Sequence, residues 1–187
     1  MTPSFSTQLD QTTSLIHALK TQSATIEAIA QTITTAVLSG HTLFTCGNGG
    51  SAADAGHFAE ELSGRYRSNR RALPAQSLSI DALAITCIAN DFGYDVVFAR
   101  QIEALGRPGD ILCALSTSGN SPSILAAIEA AHAKQMTTIA LLGKNGGQAR
   151  GRATHEVIIP SQDSGRIQEM HMQIIHFVCE VIEHQCQ

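Results

Sequence analysis

Tryptophan is absent from this 187-residue sequence, and aromatic residues make up only 4% of it. Few aromatic side chains are therefore available to stack against nucleic-acid bases. The formal net charge of −4 at pH 7 gives no general electrostatic attraction to nucleic acid or to an anionic membrane. No apolar run reaches the roughly 18 residues that indicate a membrane-spanning helix. We therefore expect neither a nucleic-acid partner nor a membrane partner.

The five cysteines are an odd number and form no Cys-x-x-Cys pair. Three of them lie in apolar runs, where a free cysteine behaves as a small hydrophobic residue. No segment resembles a signal peptide. Together these features predict a protein of the reducing cytoplasm.

Positive charge is concentrated in one short stretch, residues 65–71, which carries four arginines. Such a stretch is typical of a solvated loop. Steering of a phosphate and a contact between subunits are the alternatives that the composition leaves open.

Apolar runs of strand length alternate with helical patterns along most of the chain. Two amphipathic helices are predicted within residues 8–39, and a long helix is predicted over about 164–184. The intervening strands are predicted at 42–46, 110–115, 137–142 and 157–159, with a weaker one at 76–80. The intervening helices are predicted at 51–62, 82–89, 95–105 and 122–134.

Continuous apolar strands that alternate with helices indicate a parallel sheet covered on both faces. The predicted fold is therefore an α/β, doubly wound αβα sandwich of three layers, with extra helices at both ends. We interpret residues 1–187 as a single domain. It comprises N-terminal helices (1–40), an α/β core (41–163) and a C-terminal helix (164–187).

The most informative stretch is the glycine turn, residues 46–51 (Cys-Gly-Asn-Gly-Gly-Ser), which follows an apolar strand and opens a helix. Glycines allow a backbone to approach a ligand closely, and a helix N-terminus attracts anions. His57 and Glu61 lie four residues apart on one face of that helix, so they can reach one ligand or one metal together. Ser51 and Asp54 resemble a capping box at its start. The segment predicts a sugar- or phosphate-binding turn followed by an acid–base or metal pair.

A second polar turn, residues 116–121 (Ser-Thr-Ser-Gly-Asn-Ser), follows the strand predicted at 110–115. Its four hydroxyl side chains and the N–H groups of the next helix could surround a phosphate without any lysine. Ser121 followed by Pro122 would alone suffice for an ordinary helix start, which is the alternative. Four hydroxyls in six residues favour phosphate binding.

The C-terminal helix carries Gln168 and His176, eight residues apart. This spacing corresponds to roughly 80° around the helix and about 12 Å along it. A histidine on a helix is more often structural than a ligand. Either both side chains lean inward, or a site lies between subunits, and the spacing alone does not decide.

Taken together, Asn48-Gly-Gly-Ser51, His57 to Glu61, Asn90-Asp91, Ser116 to Ser121 and the Arg-Ile-Gln168-Glu-x-His…His176 pattern resemble one known family. The sequence is similar to the sedoheptulose-7-phosphate (phosphoheptose) isomerases of the sugar-isomerase (SIS) superfamily over about residues 43–184. The resemblance implies a flavodoxin-like αβα sandwich and a homotetramer whose active sites lie at subunit contacts. It also implies a zinc ion held by His57, Glu61, Gln168 and His176.

The same resemblance implies conversion of a ketose phosphate to an aldose phosphate through an enediol, as the first step of nucleotide-activated heptose biosynthesis. Glu61 would act as the base and His176 as the acid, which suits a carboxylate and an imidazole near neutral pH. The implied sugar contacts are Asn48, Gly49, Gly50, Asn90 and Asp91. The implied phosphate contacts are Ser116, Thr117, Ser118 and Ser121, and Ser51, Glu61, Arg65 and Gln168 complete the substrate-binding set.

Two alternatives remain within the superfamily: a non-catalytic protein that binds the bacterial replication initiator, and another sugar-phosphate enzyme. The initiator-binding relative lacks the carboxylate that matches Glu61 and has asparagine where this chain has His176. Because a shared fold does not decide function, the retained site residues favour the isomerase. One departure is Gly165, where some family members carry an aspartate; Asp163 is a candidate to replace it in orienting His176.

The C-terminal helix also predicts assembly. Its apolar residues form a broader face than an exposed helix normally shows. These residues are Ile167, Met170, Ile174, Ile175, Val178 and Ile182. We therefore expect a closed oligomer built through the N- and C-terminal helices, most simply a D2 tetramer, with Arg65 as a candidate to cross the subunit boundary.

Overall fold

A computed structural model describes residues 4–186 as one α/β unit. Its helices are α1 (Phe5–Lys20), α2 (Ser23–Leu38), α3 (Gly50–Ser63), α4 (Ala82–Phe92), α5 (Ala99–Leu105), α6 (Pro122–Ala133) and α7 (Ser164–Gln185). Its strands are β1 (Leu43–Gly47), β2 (Ala75–Ser77), β3 (Ile111–Ser116), β4 (Thr137–Gly143) and β5 (His155–Ile159). Within the described residues, none of the helices combines the length and apolar character needed to cross a membrane.

The five strands form a parallel sheet in the order β2-β1-β3-β4-β5. The chain moves from β1 outward to β2 and then returns to β3 on the other side of β1. The point where the winding direction reverses therefore lies between β1 and β3. Gly47 at the end of β1 is paired with Leu115 near the end of β3. In open α/β sheets, this switch point is where ligands bind, outside the carboxyl ends of the strands.

Alternate residues of β3 face two different helical layers, as the twofold repeat of a strand requires. Cys113 belongs to the core shared with α2, α3 and α7, whereas Ala114 belongs to the core shared with α5 and α6. Every residue of β3 is buried, which confirms the prediction of a sheet covered on both faces. The fold is therefore the predicted three-layer sandwich.

The apolar face of α7 has a different role from the one predicted. All six residues named for a subunit contact are at most 3% exposed in the single chain. They belong to the core that α7 shares with α2, α3 and the sheet. The inference of a subunit contact from this face was wrong, because the protein's own layers already cover it.

Some predicted boundaries also differ from the structure. The helix predicted at 95–105 is a 3₁₀ turn (Tyr94–Val96) followed by α5, and β5 begins at His155, two residues before its predicted start. The weak strand predicted at 76–80 is the three-residue β2 at the edge of the sheet. These differences leave the layer order unchanged.

Candidate active site at the switch point

The glycine turn after β1 brings α3 back over the end of its own strand. A Cβ on Gly47 would collide with the backbone of Ser51, so the turn requires glycine there. Gly49, with φ of 58°, is the residue before the first turn of α3. Ser51 is already inside the helix and is buried, and no side chain caps this helix. The predicted capping box was therefore wrong, because glycine allows α3 to begin earlier.

His57, Glu61 and His176 lie together between α3 and α7. One potential ligand atom from each residue can be chosen so that all three atoms lie within 4.8 Å of one another. His57 Nε2 is 2.9 Å from Glu61 Oε1, and the His57 and His176 ring centroids are 5.3 Å apart. The Glu61 side chain is only 13% exposed. The structure thus joins the i, i+4 pair of α3 to a histidine from the far end of the sequence.

Gln168 contacts α3 at a different level from His176. A Cβ on Gly50 would collide with the amide of Gln168, so that side chain lies against the first turn of α3. His57 lies seven residues after Gly50 on α3, and His176 lies beside His57. The two levels are about 10 Å apart at 1.5 Å per residue. Both α7 side chains therefore lean toward α3 of their own chain, which answers the question that their spacing left open.

The three clustered side chains suit a divalent metal. Two imidazoles and one carboxylate are ligand types that zinc accepts, and three protein ligands leave a coordination position open for substrate. Gln168 has an amide oxygen that can also ligate a metal, and it lies against the first turn of α3. Its place in the predicted metal set remains a prediction.

Asp54 is a carboxylate near the cluster, and its predicted role was only that of a helix cap. Within residues 4–186, its Oδ2 is buried without a hydrogen-bond partner. Burial raises the pKa of this carboxyl, and the charge of His57 partly opposes that shift. Asp54, His57 and Glu61 follow i, i+3, i+7 spacing and so share one face of α3. That spacing was the signal that could have identified Asp54.

A small cavity of about 100 Å³ lies where the turns after β1 and β3 meet, and we call it the phosphate cavity. Its polar lining is Asn48, Ser51, Ser116, Thr117, Ser118 and Ser121. Ser121 precedes the first residue of α6, yet its side chain makes no capping hydrogen bond. Its hydroxyl is thus not consumed by the helix, which weakens the alternative of an ordinary capped turn.

The turn after β3 is fixed by a hydrogen bond within the turn and by contact with the loop after β4. Ser116 Oγ accepts a hydrogen bond from the N–H of Gly119 at 3.0 Å. A Cβ on Gly119 would collide with the carbonyl group of Gly146, so glycine is required for this close approach. The turn is therefore packed against the loop after β4, and its hydroxyls occupy fixed positions.

Asn48 is oriented by two neighbours in this cavity. Its Nδ2 donates to Ser123 Oγ at 3.0 Å, and its Oδ1 accepts from the hydroxyl of Tyr94 at 2.7 Å. An asparagine amide has two donors and one acceptor oxygen with two lone pairs, so capacity for a ligand remains. Sequence reasoning missed Tyr94, because no local pattern links it to a residue 46 positions earlier.

Three predicted site residues lie outside this arrangement. Asn90 and Asp91 are exposed at the end of α4, where the Asn90 amide donates to Asp91 at 2.6 Å. Arg65 is exposed and donates to Asn69 at 2.8 Å. None of these hydrogen bonds reaches the cluster, so their part in substrate binding remains a prediction.

Asp163 and His171 have structural roles. Asp163 caps α7 by accepting from the N–H groups of Gly165 and Arg166. It lies 13 residues, or about 20 Å along the helix, from His176, so it does not orient that imidazole within the chain. His171 is fully buried, with its Nε2 3.2 Å from the Leu142 carbonyl. Burial lowers its pKa to about 4, as expected for a neutral structural histidine.

The chain is similar to known proteins along most of its length. The SIS-domain profile matches residues 8–143. The phosphoheptose isomerase of Vibrio cholerae is 53% identical over 161 residues, covering 86% of this chain and 84% of that protein. The phosphoheptose isomerase of Alteromonas mediterranea is 50% identical over 161 residues, covering 84% and 81%.

Solved structures give the same result over nearly the whole length. The phosphoheptose isomerase of Neisseria gonorrhoeae matches with a TM-score of 0.87 at 36% identity, covering 96% of both chains. That of Francisella tularensis matches with a TM-score of 0.88 at 32% identity, again covering 96% of both. The chain therefore belongs to the phosphoheptose isomerase family of SIS-domain proteins.

Proposed function

We propose that this protein converts D-sedoheptulose 7-phosphate to D-glycero-D-manno-heptose 7-phosphate, the first step of nucleotide-activated heptose biosynthesis. Two observations carry the proposal: a cavity lined by hydroxyls at the switch point of the sheet, and the His57–Glu61–His176 cluster on the helix that starts there. Family membership supports the same reaction. The two parts of the site match the two ends of a sugar phosphate.

The phosphate would be bound by Ser116, Thr117, Ser118 and Ser121 together with N–H groups at the start of α6. Among the described residues, neither a lysine nor an arginine lines this cavity. Hydroxyl donors and the N-terminal end of a helix are sufficient to hold an anion. The sugar would face the glycine turn, which contributes Asn48, Gly49, Gly50 and Ser51. The side chain of Gln168, which lies against this turn, would face it too. Asn90, Asp91 and Arg65 would join them only if loops or a second subunit bring them closer.

The proton transfers fall to Glu61 and His176. Glu61 removes a proton from C1 of the ketose, and the electrons of the C–H bond form the C1–C2 double bond of the enediol while the C2 oxygen takes a proton from His176. Glu61 then returns a proton to C2, and the proton on the C1 oxygen passes to His176, which gives the aldose and restores both residues. The short contact between Glu61 and His57 fixes the direction of the carboxylate, which favours transfer over a short distance.

We infer that zinc occupies the cluster, with His57, Glu61 and His176 as ligands and Gln168 as the predicted fourth. Bound there, it would polarise the substrate carbonyl and support negative charge on the oxygen. Removal of metal with a chelator should abolish activity, and added Zn²⁺ should restore it. Metal analysis of the purified protein measures the stoichiometry directly, and full activity in metal-free protein would contradict this inference.

We also propose a cytoplasmic homotetramer with sites near subunit contacts. All five cysteines are free, which agrees with a reducing compartment. None of the residues of α4 is buried, and the exposed side chains around it include Ile80, Leu83 and Phe92. This unburied apolar surface now supports the tetramer better than the covered face of α7. Sedimentation at micromolar concentration tests it, and a fully active monomer would contradict it.

The reaction itself is tested by proton NMR in D₂O with D-sedoheptulose 7-phosphate. We expect the aldose to appear with deuterium at C2, because an enediol intermediate exchanges its proton with solvent. Sedoheptulose without phosphate is the control and should be a very poor substrate. A wild-type protein that forms no aldose would instead favour a non-catalytic binding protein.

A further inference from the structure

Glu183 is a buried carboxylate on α7, seven residues beyond His176. Its residue surface is only 6% exposed. Both of its oxygens accept from the backbone N–H of Arg67 at 3.2 Å, and one also accepts from the backbone N–H of Ser68. A buried carboxylate without hydrogen bonds is costly, so these contacts stabilise its position.

The ionisation state of Glu183 suits this role. Burial raises the pKa of its carboxyl, but hydrogen bonds from Ser68 and Arg67 and the charge of Arg70 lower it, and the net direction is downward. The group is therefore ionised at neutral pH. Oε1 accepts from both N–H groups and Oε2 also accepts from that of Arg67, so the carboxylate makes three contacts with the loop.

The loop that Glu183 contacts, residues 64–74, joins α3 to β2 without helix or strand of its own. Arg70 fixes it to the end of α3 by donating to the carbonyls of Glu61 and Leu62, at 2.6 and 2.9 Å. Glu183 fixes it to α7. Tyr66 immediately precedes the backbone that Glu183 holds, and its ring centroid is 5.9 Å from that of His176.

His176 thus lies close to two rings, that of His57 at 5.3 Å and that of Tyr66 at 5.9 Å. We propose that Glu183 is a positioning residue for the isomerisation, because it holds the backbone at residues 67 and 68 and so keeps Tyr66 against His176. This inference rests on the proposed function, in which His176 is the acid. Release of the loop would remove one of the two rings and allow the imidazole to leave its reactive orientation.

The substitution Glu183→Gln tests the proposal, because it keeps the size of the side chain and removes its charge and one acceptor. The matched control is Glu180→Gln. Glu180 lies on the same helix, but it is exposed and pairs only with the guanidinium of Arg67, which lies 4.7 Å from the Tyr66 ring centroid, so this control separates the guanidinium contact from the backbone contact. Exposed ion pairs contribute little to stability.

We expect Glu183→Gln to lower kcat about tenfold while KM changes less, since misplacement of a catalytic group affects the transition state first. Glu180→Gln should leave both constants near wild type. Equal effects of the two substitutions on kcat, or a change in KM alone, would overturn the proposal. Circular dichroism checks folding, and if Glu183→Gln does not fold, Glu183→Asp is measured in the same way.

A second measurement does not depend on activity. The chain has two tyrosines and no tryptophan, so Tyr94→Phe leaves Tyr66 as the only tyrosine. In that background, we expect Glu183→Gln to raise the acrylamide quenching of Tyr66 fluorescence toward that of free tyrosine. Unchanged quenching would overturn the proposal. A wild-type protein that does not isomerise the sugar phosphate contradicts the proposed function, whereas the quenching result separately tests the contact between Glu183 and the loop.

Discussion

The phosphate cavity and the His57–Glu61–His176 cluster are assembled in different ways. The cavity is formed by two turns that directly follow β1 and β3, and its groups are hydroxyls and backbone N–H groups. The cluster requires α3 and α7 to pack side by side, since 115 residues separate Glu61 from His176. The cavity, to which the proposal assigns binding, is thus a local structure, whereas the cluster, to which it assigns proton transfer, depends on tertiary packing.

The largest effect should come from Glu61→Gln, which removes the base while keeping the shape of the side chain. We expect turnover to fall by at least about 100-fold, the usual contribution of general acid–base catalysis. Substrate affinity should change little if binding resides in the cavity. Glu60→Gln, an exposed neighbour on the same helix, is the control and should retain activity. Near-normal turnover of Glu61→Gln would remove Glu61 from the role of base.

His176→Asn should lower turnover roughly 100-fold or less, because water can partly replace an acid. Calorimetry should show retained affinity for the sugar phosphate. His184→Asn, an exposed histidine near the end of the same helix, serves as the control. Full activity of His176→Asn would assign the acid role to another group, and loss of affinity would show that the cluster also binds.

Ser121→Ala should affect substrate binding in the phosphate cavity. A hydrogen bond to a charged group contributes about 1.5–3 kcal/mol, so KM for the phosphorylated ketose should rise roughly ten- to a hundredfold. The value of kcat should change much less. Ser39→Ala, at the exposed end of α2, is the control. An unchanged KM would mean that the turn after β3 is only a helix start.

The smallest effect should come from Tyr94→Phe, which removes the hydroxyl that orients Asn48. A neutral hydrogen bond contributes about 0.5–1.5 kcal/mol, so we expect KM to rise about two- to tenfold. Steady-state kinetics with wild type in parallel measures this change. A larger fall in kcat than rise in KM would show that Asn48 assists the chemistry and not only the binding.

Sequence reasoning predicted the parts of the molecule that depend on neighbouring residues. The four hydroxyls of residues 116–121, the glycine turn and the His57–Glu61 pair were all identified, because turn composition and helical spacing are local properties. The alternation of strands and helices likewise predicted the sandwich, which the structure confirms.

What depends on tertiary packing was not predictable in the same way. The apolar face of α7 has the same sequence pattern whether a second subunit or the protein's own sheet covers it. Only the structure showed that the protein's own sheet covers it. The contact between Tyr94 and Asn48 and that between Glu183 and the loop join residues far apart in sequence. Helical periodicity gives the face of a helix but not the partner of that face.

The side-by-side packing of α3 and α7 limits how this chain can vary in length. Gly50 lies beside Gln168, and His57 lies beside His176, so the two helices remain in register over two turns. One residue inserted between Gln168 and His176 would rotate the imidazole by about 100° and remove it from the cluster. We therefore expect insertions and deletions within α7 to inactivate the protein.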